Sequence, residues 1–411
     1  VVFAISSGDL PLGGGLLAIL RPALDLVEPG GVLALNSSND SVRDDLPTWC
    51  KLEHHEYLGR EPLPGGGERH LIKRGSLGLP RGKREWGLTL PQHDGQIFAT
   101  DVVASVPLPS TTDPATGFAP RGARVEPGGP VYPFTLNERD HCAPPEVAQL
   151  YDQAVAAQWD AARDIAWAKI KPLPRPLETA VGQLMTFLAE NELSALYLPS
   201  KFISRLHPAY VETAMFLSTQ LNDESRHIDV FLKRARAAGG GVGISTATTS
   251  ASLHSLLMLE DFTEAAFLLS VLGEGTFLDL LRYIEDHAPD EPTADLIRRA
   301  RADETRHVHF GMAHVRHALA HDPTLFPRLE AAVRKRAATL SGVGGVPAPV
   351  ADSLVILAAR GNDAANVHKG YEAYQELLHV MHENRVKRLL TAGFTPEQAQ
   401  TLSDLHTPNF M

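Results

Sequence analysis

From Pro144 to the end of the chain, apolar residues recur every three or four positions, the spacing that puts them on one face of an α-helix. The pattern predicts helices at roughly 145–164, 176–206, 209–238, 251–287, 291–320, 325–340, 349–361, 363–392 and 395–405. Start and stop signals agree with these limits. Pro208 opens the third helix, Gly239-Gly240-Gly241 follows its end, and Asp290 with Pro292 precedes the fifth. The second to fifth helices run about thirty residues or more, beyond the globular average and suited to a long-helix bundle.

Before Pro144 the pattern changes. Residues 1–75 alternate short apolar runs with one amphipathic stretch: a strand at Val1–Ser6, a helix at Gly15–Val27, a strand at Gly31–Asn36, a helical turn after Ser41, and strands at Glu56–Arg60 and Arg69–Lys73. Pro64-Gly65-Gly66-Gly67 suits a turn between the last two strands. Residues 76–144 carry Pro107, Pro109, Pro114, Pro120, Pro127, Pro130 and Pro133 without helical periodicity, and read as an extended connector that wraps a neighbour. The predicted organisation is a small α/β (βαβαββ) domain at 1–75, a Pro/Gly-rich connector at 76–144 and a mainly α bundle with C-terminal helices at 145–411.

Inside two of the long helices the same pentapeptide occurs twice, Asp223-Glu224-Ser225-Arg226-His227 and Asp303-Glu304-Thr305-Arg306-His307. Glu and His three apart on a helix point the same way. Two such pairs, with one further Glu from each of two other helices, make the ligand set of a dinuclear iron or manganese carboxylate site in a four-helix bundle. On the second helix the inward stripe Val181, Leu184, Leu188, Ala195 and Pro199 takes in Glu192 and leaves Glu190 outside. On the fourth, Glu260, Glu264, Glu274 and Glu285 compete. Only Glu274 sits mid-helix in an apolar run, where a lone carboxylate is costly unless it binds a metal. Glu192 precedes Glu224 by 32 residues and Glu274 precedes Glu304 by 30, about one helix and its return to the same height. The predicted ligands are therefore Glu192, Glu224, His227, Glu274, Glu304 and His307. A set without thiolate favours two iron ions, or a manganese/iron pair, over structural zinc. Asp223, Arg226, Asp303 and Arg306 are expected around the ligands, the aspartates fixing histidine tautomers and the arginines anchoring the aspartates; a solvated face is the competing reading for the arginines.

Composition narrows the function further. A net charge of -11 with no concentrated Lys/Arg window disfavours nucleic acid. Cys50 and Cys142, in unrelated contexts, exclude a rubredoxin-type centre, a zinc ribbon and a disulfide scaffold, and point to a reducing cytoplasm. The most apolar run, Ala265–Leu281, is interrupted by Glu274 and Asp279, so no membrane span is expected. The chain opens in a strand-like run with no leader signal, as if it began inside a longer one.

Over about residues 145–320 the motifs resemble the ferritin-like diiron-carboxylate superfamily, and the DExRH form looks most like hydroxylase subunits of bacterial multicomponent monooxygenases and the benzoyl-CoA epoxidase type. The resemblance implies a non-haem diiron monooxygenase in which the six residues above hold iron. Such an enzyme takes O2 as co-substrate and electrons from a ferredoxin or reductase, and hydroxylates, epoxidises or N-oxygenates a small organic substrate; a homodimer is compatible. Departures are informative. Leu278 stands where such hydroxylases carry a threonine, so Thr276 or water is expected to deliver protons. Phe231 stands where ribonucleotide reductase small subunits carry a tyrosine, and Ala300 where arylamine N-oxygenases carry an extra histidine. The alternative is a ferritin-like iron-handling protein without an organic substrate. The N-terminal stretches Leu46-Pro47-Thr48-Trp49-Cys50, His54-His55-Glu56 and Leu71-Ile72-Lys73-Arg74 resemble the TusA sulfurtransferase family, but Gly13 occupies the active-cysteine position, which implies a scaffold, lid or docking role.

Several other residues carry expectations. Leu188, Gly273, Thr276 and Leu278 are the predicted substrate-pocket residues, being beside or one turn from Glu192 and Glu274. Gly273 and Gly275 each cost about 1 kcal/mol inside a helix, which a π-bulge, a cavity or close helix packing would explain. Cys50 reads as a small core residue, Trp159 and Trp167 as packing, and His309, His314 and His317 as surface or supporting histidines. The apolar tail Leu405–Met411 is expected to dock on the bundle.

Overall fold

The computed structural model describes residues 3–75, 89–123, 125, 128–342 and 345–406. It divides into two compact units, Val1–Arg84 with Ala123–Gly128, and Glu85–Gly122 with Gly129–Met411. The expectations for Val1, Val2, the start of the connector, Pro127 and the tail beyond His406 lie outside the described residues.

The N-terminal unit contains β1 (Phe3–Gly8), α1 (Leu16–Asp25), β2 (Val32–Ser37), α2 (Val42–Leu52), β3 (Glu56–Pro62) and β4 (Glu68–Lys73). Strand order is β1-β2-β4-β3; β1 and β2 are parallel, as a helical crossover requires, and the other pairs are antiparallel. The turn expected after Ser41 is instead the full helix α2, because Val42, Leu46, Trp49 and Cys50 recur on one face and are buried beneath Leu20, Leu33, Leu35 and Ile72. Gly66 and Gly67 adopt positive φ in the β3–β4 turn, as the breaker run requires.

The larger unit is helical. It contains α3 (Ala99–Ser105), α4 (Val147–Ala156), α5 (Arg175–Ile203), α6 (Val211–Ala237), α7 (Ala247–Leu257), α8 (Phe262–Ala266), a π segment (Phe267–Glu274) that continues into α9 (Gly275–Asp286), α10 (Glu291–His321), α11 (Leu325–Leu340), α12 (Ala348–Ala359), α13 (Ala364–Thr391) and α14 (Pro396–Leu405). Two hairpins form the central bundle, α5 with α6 and the α8–π–α9 rod with α10, joined by a crossover that carries α7. Short returns inside hairpins and one long crossover between them define a ferritin-like bundle. Phe216 of α6 stacks on Phe310 of α10 at 4.7 Å between ring centroids.

Two predicted helices are corrected. The stretch 145–164 is helical only to Ala156, after which the chain turns and Asp160 accepts from the backbone of Ala162 and Arg163. That turn frees Gln158 and Trp159 to reach the bundle. The stretch 251–287 breaks at 258–261, where Asp261 caps α8 by accepting from Glu264 N at 2.9 Å. The Pro-rich tract includes the short helix α3 and otherwise wraps the entry to α6. Tyr210 Oη bonds the carbonyls of Pro109, Ser110 and Asn137, His207 Nε2 meets Thr116 Oγ1 at 2.9 Å, and Arg121 pairs with Glu212. These bonds tie residues 109–121 to the start of α6.

Arg234, fully buried on α6, ties the bundle at one end. It meets Glu178 of α5 at 3.1 Å and, beside the start of α10, Asp290 at 3.2 Å and Thr293 Oγ1 at 2.5 Å. Arg234→Met should leave Glu178 buried without its cation and cost about 3–5 kcal/mol. Urea unfolding of the metal-free chain measures this, and an unchanged midpoint would refute the clamp.

Candidate metal centre

α5, α6, the π segment and α10 each bring carboxylates or imidazoles to the middle of the bundle. Glu192, Glu224, His227, Glu274, Glu304 and His307 are all at most 2% exposed. Their ligand atoms fall into two groups, Glu192, Glu224, His227, Glu304 and Glu224, Glu274, Glu304, His307, each within 4.8 Å. Glu224 and Glu304 belong to both. Glu224 directs Oε2 to His227 Nδ1 at 3.4 Å and Oε1 to His307 Nδ1 at 3.1 Å. Glu304 directs Oε1 to His227 Nδ1 at 3.2 Å and Oε2 to His307 Nδ1 at 3.4 Å. Each thus offers one oxygen to each half of the site. Glu192 serves one half only, with Oε1 at 3.7 Å from His227 Nδ1, and Glu274 the other.

Which atoms are satisfied is equally informative. Glu192 Oε1, both oxygens of Glu224 and Glu304, Glu274 Oε2 and the Nδ1 atoms of His227 and His307 are buried without a hydrogen bond. Burying so many uncompensated polar atoms is unfavourable unless a cation occupies the space between them. The fit extends to the tautomers. His227 Nε2 donates to Asp303 at 3.0 Å and His307 Nε2 to Asp223 at 3.3 Å, which leaves each Nδ1 lone pair facing inward.

The supporting pairs are crossed: each motif's aspartate serves the other motif's histidine. Arg226 Nη2 donates to Asp223 at 2.5 Å and Asp303 at 2.8 Å, while Arg306 Nη2 reaches Asp223 at 3.2 Å and also pairs with Asp303. The solvated-face reading of these arginines is therefore replaced by one in which two guanidiniums hold two buried carboxylates together.

Sequence reasoning missed three contributors and misread a fourth. Gln158 Nε2 donates to Asp223 Oδ1 at 3.1 Å, and Gln220 Nε2 to Glu274 Oε1 at 3.1 Å. Ser270, one turn before Glu274, lines the cavity beside Gln220. Gln220 lies four residues before Glu224, one turn away on the same face, and that spacing was the available signal. Ser270 has the same spacing before Glu274, whereas no local pattern marked Gln158. Trp159 does more than pack: its Nε1 donates to Asp303 Oδ2 at 2.8 Å, and Arg226 lies 4.7 Å from its ring. Trp167, by contrast, only bonds the Ala161 carbonyl.

The rival carboxylates are elsewhere. Glu260 pairs with Lys201 and Arg205, Glu285 with Arg298 and Arg301, and Glu190 and Glu264 are partly exposed. Beside Glu274 is a narrow, mostly apolar cavity of about 20 Å³, walled by Leu198, Phe202, Leu217, Phe262, Leu269 and Phe310, with Gln220 and Ser270 as its polar members. None of Leu188, Gly273, Thr276 or Leu278 lines it. Leu188 packs in the core, and Leu278 is partly exposed beside Asp279, which binds Arg388 at 3.0 Å. Thr276 Oγ1 donates to the Leu272 carbonyl at 2.6 Å, so its proton is committed to the backbone. Two of the three explanations for the glycines apply. The helix is π-wound up to Glu274, and a Cβ on Gly275 would stand 2.6 Å from Arg388 Nε. His314 is buried against Thr263 Oγ1, its pKa pushed down to about 3 by burial, and His309 is exposed.

Burial, then the Glu304 and Glu224 carboxylates, raises the pKa of Glu192 well above the ordinary value, and Glu274 follows the same direction for the same reasons. Burial also opposes ionisation of Asp303, but bonding to His227 and Arg226 outweighs it and holds Asp303 below the usual range. Against burial, Asp303 and the inner carboxylates raise His227, and Glu304 with Glu224 raises His307.

No family model and no curated protein matches the chain. Among solved structures it is similar to an R2-like ligand-binding oxidase with aerobically reconstituted metal cofactor after photoconversion, at TM-score 0.46 and 18% identity over 59% of this chain and 92% of that one. A variant of an R2-like ligand-binding oxidase with anaerobically reconstituted Mn/Fe cofactor is similar at TM-score 0.46 and 19% identity, again over 59% and 92%.

A raised folded-state pKa means that the native chain keeps a proton the unfolded chain has lost, so Glu192 destabilises the metal-free protein increasingly as pH rises from the ordinary glutamate range through the raised value. Metal-free Glu192→Gln should therefore melt higher than metal-free wild type at pH 8, with the gap closing as the pH approaches the ordinary glutamate value. A lower melting temperature for the variant at pH 8 would contradict this account.

Proposed function

We propose that the chain is a non-haem dinuclear metal oxygenase that uses O2 to oxidise a small organic substrate by hydroxylation, epoxidation or N-oxygenation. Glu192 with His227, and Glu274 with His307, would each hold one ion, and Glu224 and Glu304 would bridge the pair. The observation that carries this reading is the eight ligand-side atoms buried without hydrogen bonds between two outward-bonded histidines. Four carboxylates and two imidazoles suit two irons or a manganese/iron pair. Such a pair, when bound, supplies redox electrons and Lewis acidity for dioxygen chemistry.

The chain's own residues supply the rest. Asp303 and Asp223 keep the Nδ1 lone pairs of His227 and His307 turned inward. Gln220 holds Glu274 by Oε1 and leaves Oε2 for the site. The apolar wall beside it excludes water and accommodates only a small reactant. Phe231 places no phenol near His227, which argues against a stored tyrosyl radical. With the Thr276 proton committed, water is the better candidate for proton delivery. Two cysteines cannot bind an iron–sulfur cluster of the four-thiolate kind, so electrons would come from a separate ferredoxin or reductase.

The cavity, at about 20 Å³ roomy enough for little more than one water, favours one second reading: a ferritin-like iron-handling protein without an organic substrate. For the N-terminal unit we propose a scaffold or docking role. Gly13 takes the place of a sulfur-carrying cysteine, and burial pushes the Cys50 thiol up to about 12. Among the described residues no helix is long and apolar enough to cross a membrane.

Anaerobic Fe2+ titration should load about two equivalents per chain at this centre. A Glu224→Ala, Glu304→Ala double variant should lose both the iron and O2-dependent turnover with an artificial electron donor. Retention of both would sink the reading; O2 consumption limited to oxidation of the loaded iron would favour iron handling.

A further inference from the structure

A second group of ligand-type side chains lies at the far end of α10. His317 and His321 are four residues apart and therefore on one face, with ring centroids 4.5 Å apart. Across from them the short turn Arg139–His141 presents Asp140, with Oδ1 at 3.2 Å from His317 Nε2. One ligand atom from each of the three lies within 4.8 Å of the others. His317 is ten residues beyond His307, about 15 Å along the helix, so this group is separate from the dinuclear centre.

Two details point to a cation rather than a chance contact. His321 Nδ1 stands 2.8 Å from the His317 carbonyl, which can only accept, so Nδ1 carries the proton and Nε2 keeps its lone pair for a ligand. His317 Nε2 is buried without a hydrogen bond, despite its closeness to Asp140. Arg139 Nε donates to the same Asp140 oxygen at 2.9 Å, and a carboxylate has further acceptor sites on both oxygens. Ligand atoms at about 2.0–2.2 Å from one ion stand roughly 3–3.6 Å apart. The group therefore needs a small contraction, which the exposed His321 is free to make.

We infer that Asp140, His317 and His321 form a second, mononuclear site for a first-row divalent cation of the zinc or cobalt class, pinning the turn 139–141 to the last turns of α10. Two neutral imidazoles and one carboxylate are a borderline donor set suited to such ions, with further positions open to water. The pinned turn leads through Cys142 into α4, whose C-terminal end delivers Gln158 and Trp159 to the aspartates of the dinuclear centre. A cation here would thus fix the near end of the segment that supports that centre.

Co2+ is the probe, in equilibrium dialysis of the full chain with metal analysis and visible absorption. Wild type should bind one equivalent more than His321→Ala, a substitution at an exposed position that leaves packing intact. Asp140→Asn should hold that equivalent at least tenfold more weakly, and Zn2+ should raise the melting temperature of wild type more than that of His321→Ala. Equal Co2+ content in wild type and His321→Ala, or unchanged affinity in Asp140→Asn, overturns the site. Because the readout is a difference between chains, it does not depend on how many ions the dinuclear centre takes up.

Discussion

The crossed pairing of aspartates and histidines between α6 and α10 is the constraint on which the centre of this protein depends. Asp303 holds His227, Asp223 holds His307, and both arginines grip both aspartates. Neither helix can rotate or slide without breaking bonds that belong to the other. The same bonds set both imidazole tautomers and hence the direction of the lone pairs. The register of the two helices and the orientation of the two imidazoles are therefore one property.

That rigidity surrounds a destabilising interior. Four buried carboxylates crowd the middle of the bundle in two overlapping groups, and two of them are pushed toward protonation by burial and mutual repulsion. A hydrophobic isostere set would fold more readily. The favourable terms lie outside the centre: Phe216 stacked on Phe310, the buried Arg234 clamp at one end, and the outer layer of Gln158, Trp159 and the two arginines. The π segment has a similar character. It gives up regular helical bonding to bring Glu274 into the group, and it packs closely on α10, where a Cβ at Gly311 would stand only 2.6 Å from Ser270 Cβ.

Much of this was legible along the chain because it is local. The twofold DExRH motif places Glu and His on one face by helical geometry alone, and Glu192 and Glu274 are distinguished by an apolar stripe and an apolar run. The limits of α10 to α14 followed caps and periodicity to within about two residues, the usual fraying error. What could not be read along the chain is non-local. Leu188 and Leu278 are one turn from ligands, yet they do not line the cavity, because helix spacing says which residues share a face but not where the neighbouring helix leaves a gap. The helix read across 145–164 ends early for a similar reason: Gln158 and Trp159 bond to partners 65 and 144 residues away. A window of sequence contains no trace of those partners.

The sequence by itself determined most of the elements, the candidate ligand types and their placement on helix faces, since these depend on backbone periodicity and on the cost of burying charge. Only the tertiary structure decided which aspartate serves which histidine, that Glu224 and Glu304 are the shared carboxylates, and that Gln220, Ser270 and Trp159 complete the site. These are choices between chemically equivalent groups. Asp223 and Asp303 are each three residues from an arginine and four from a histidine in the same motif, so their local energies are alike. The crossed arrangement is selected by the distance between two packed helices, a quantity that exists only once the bundle has formed.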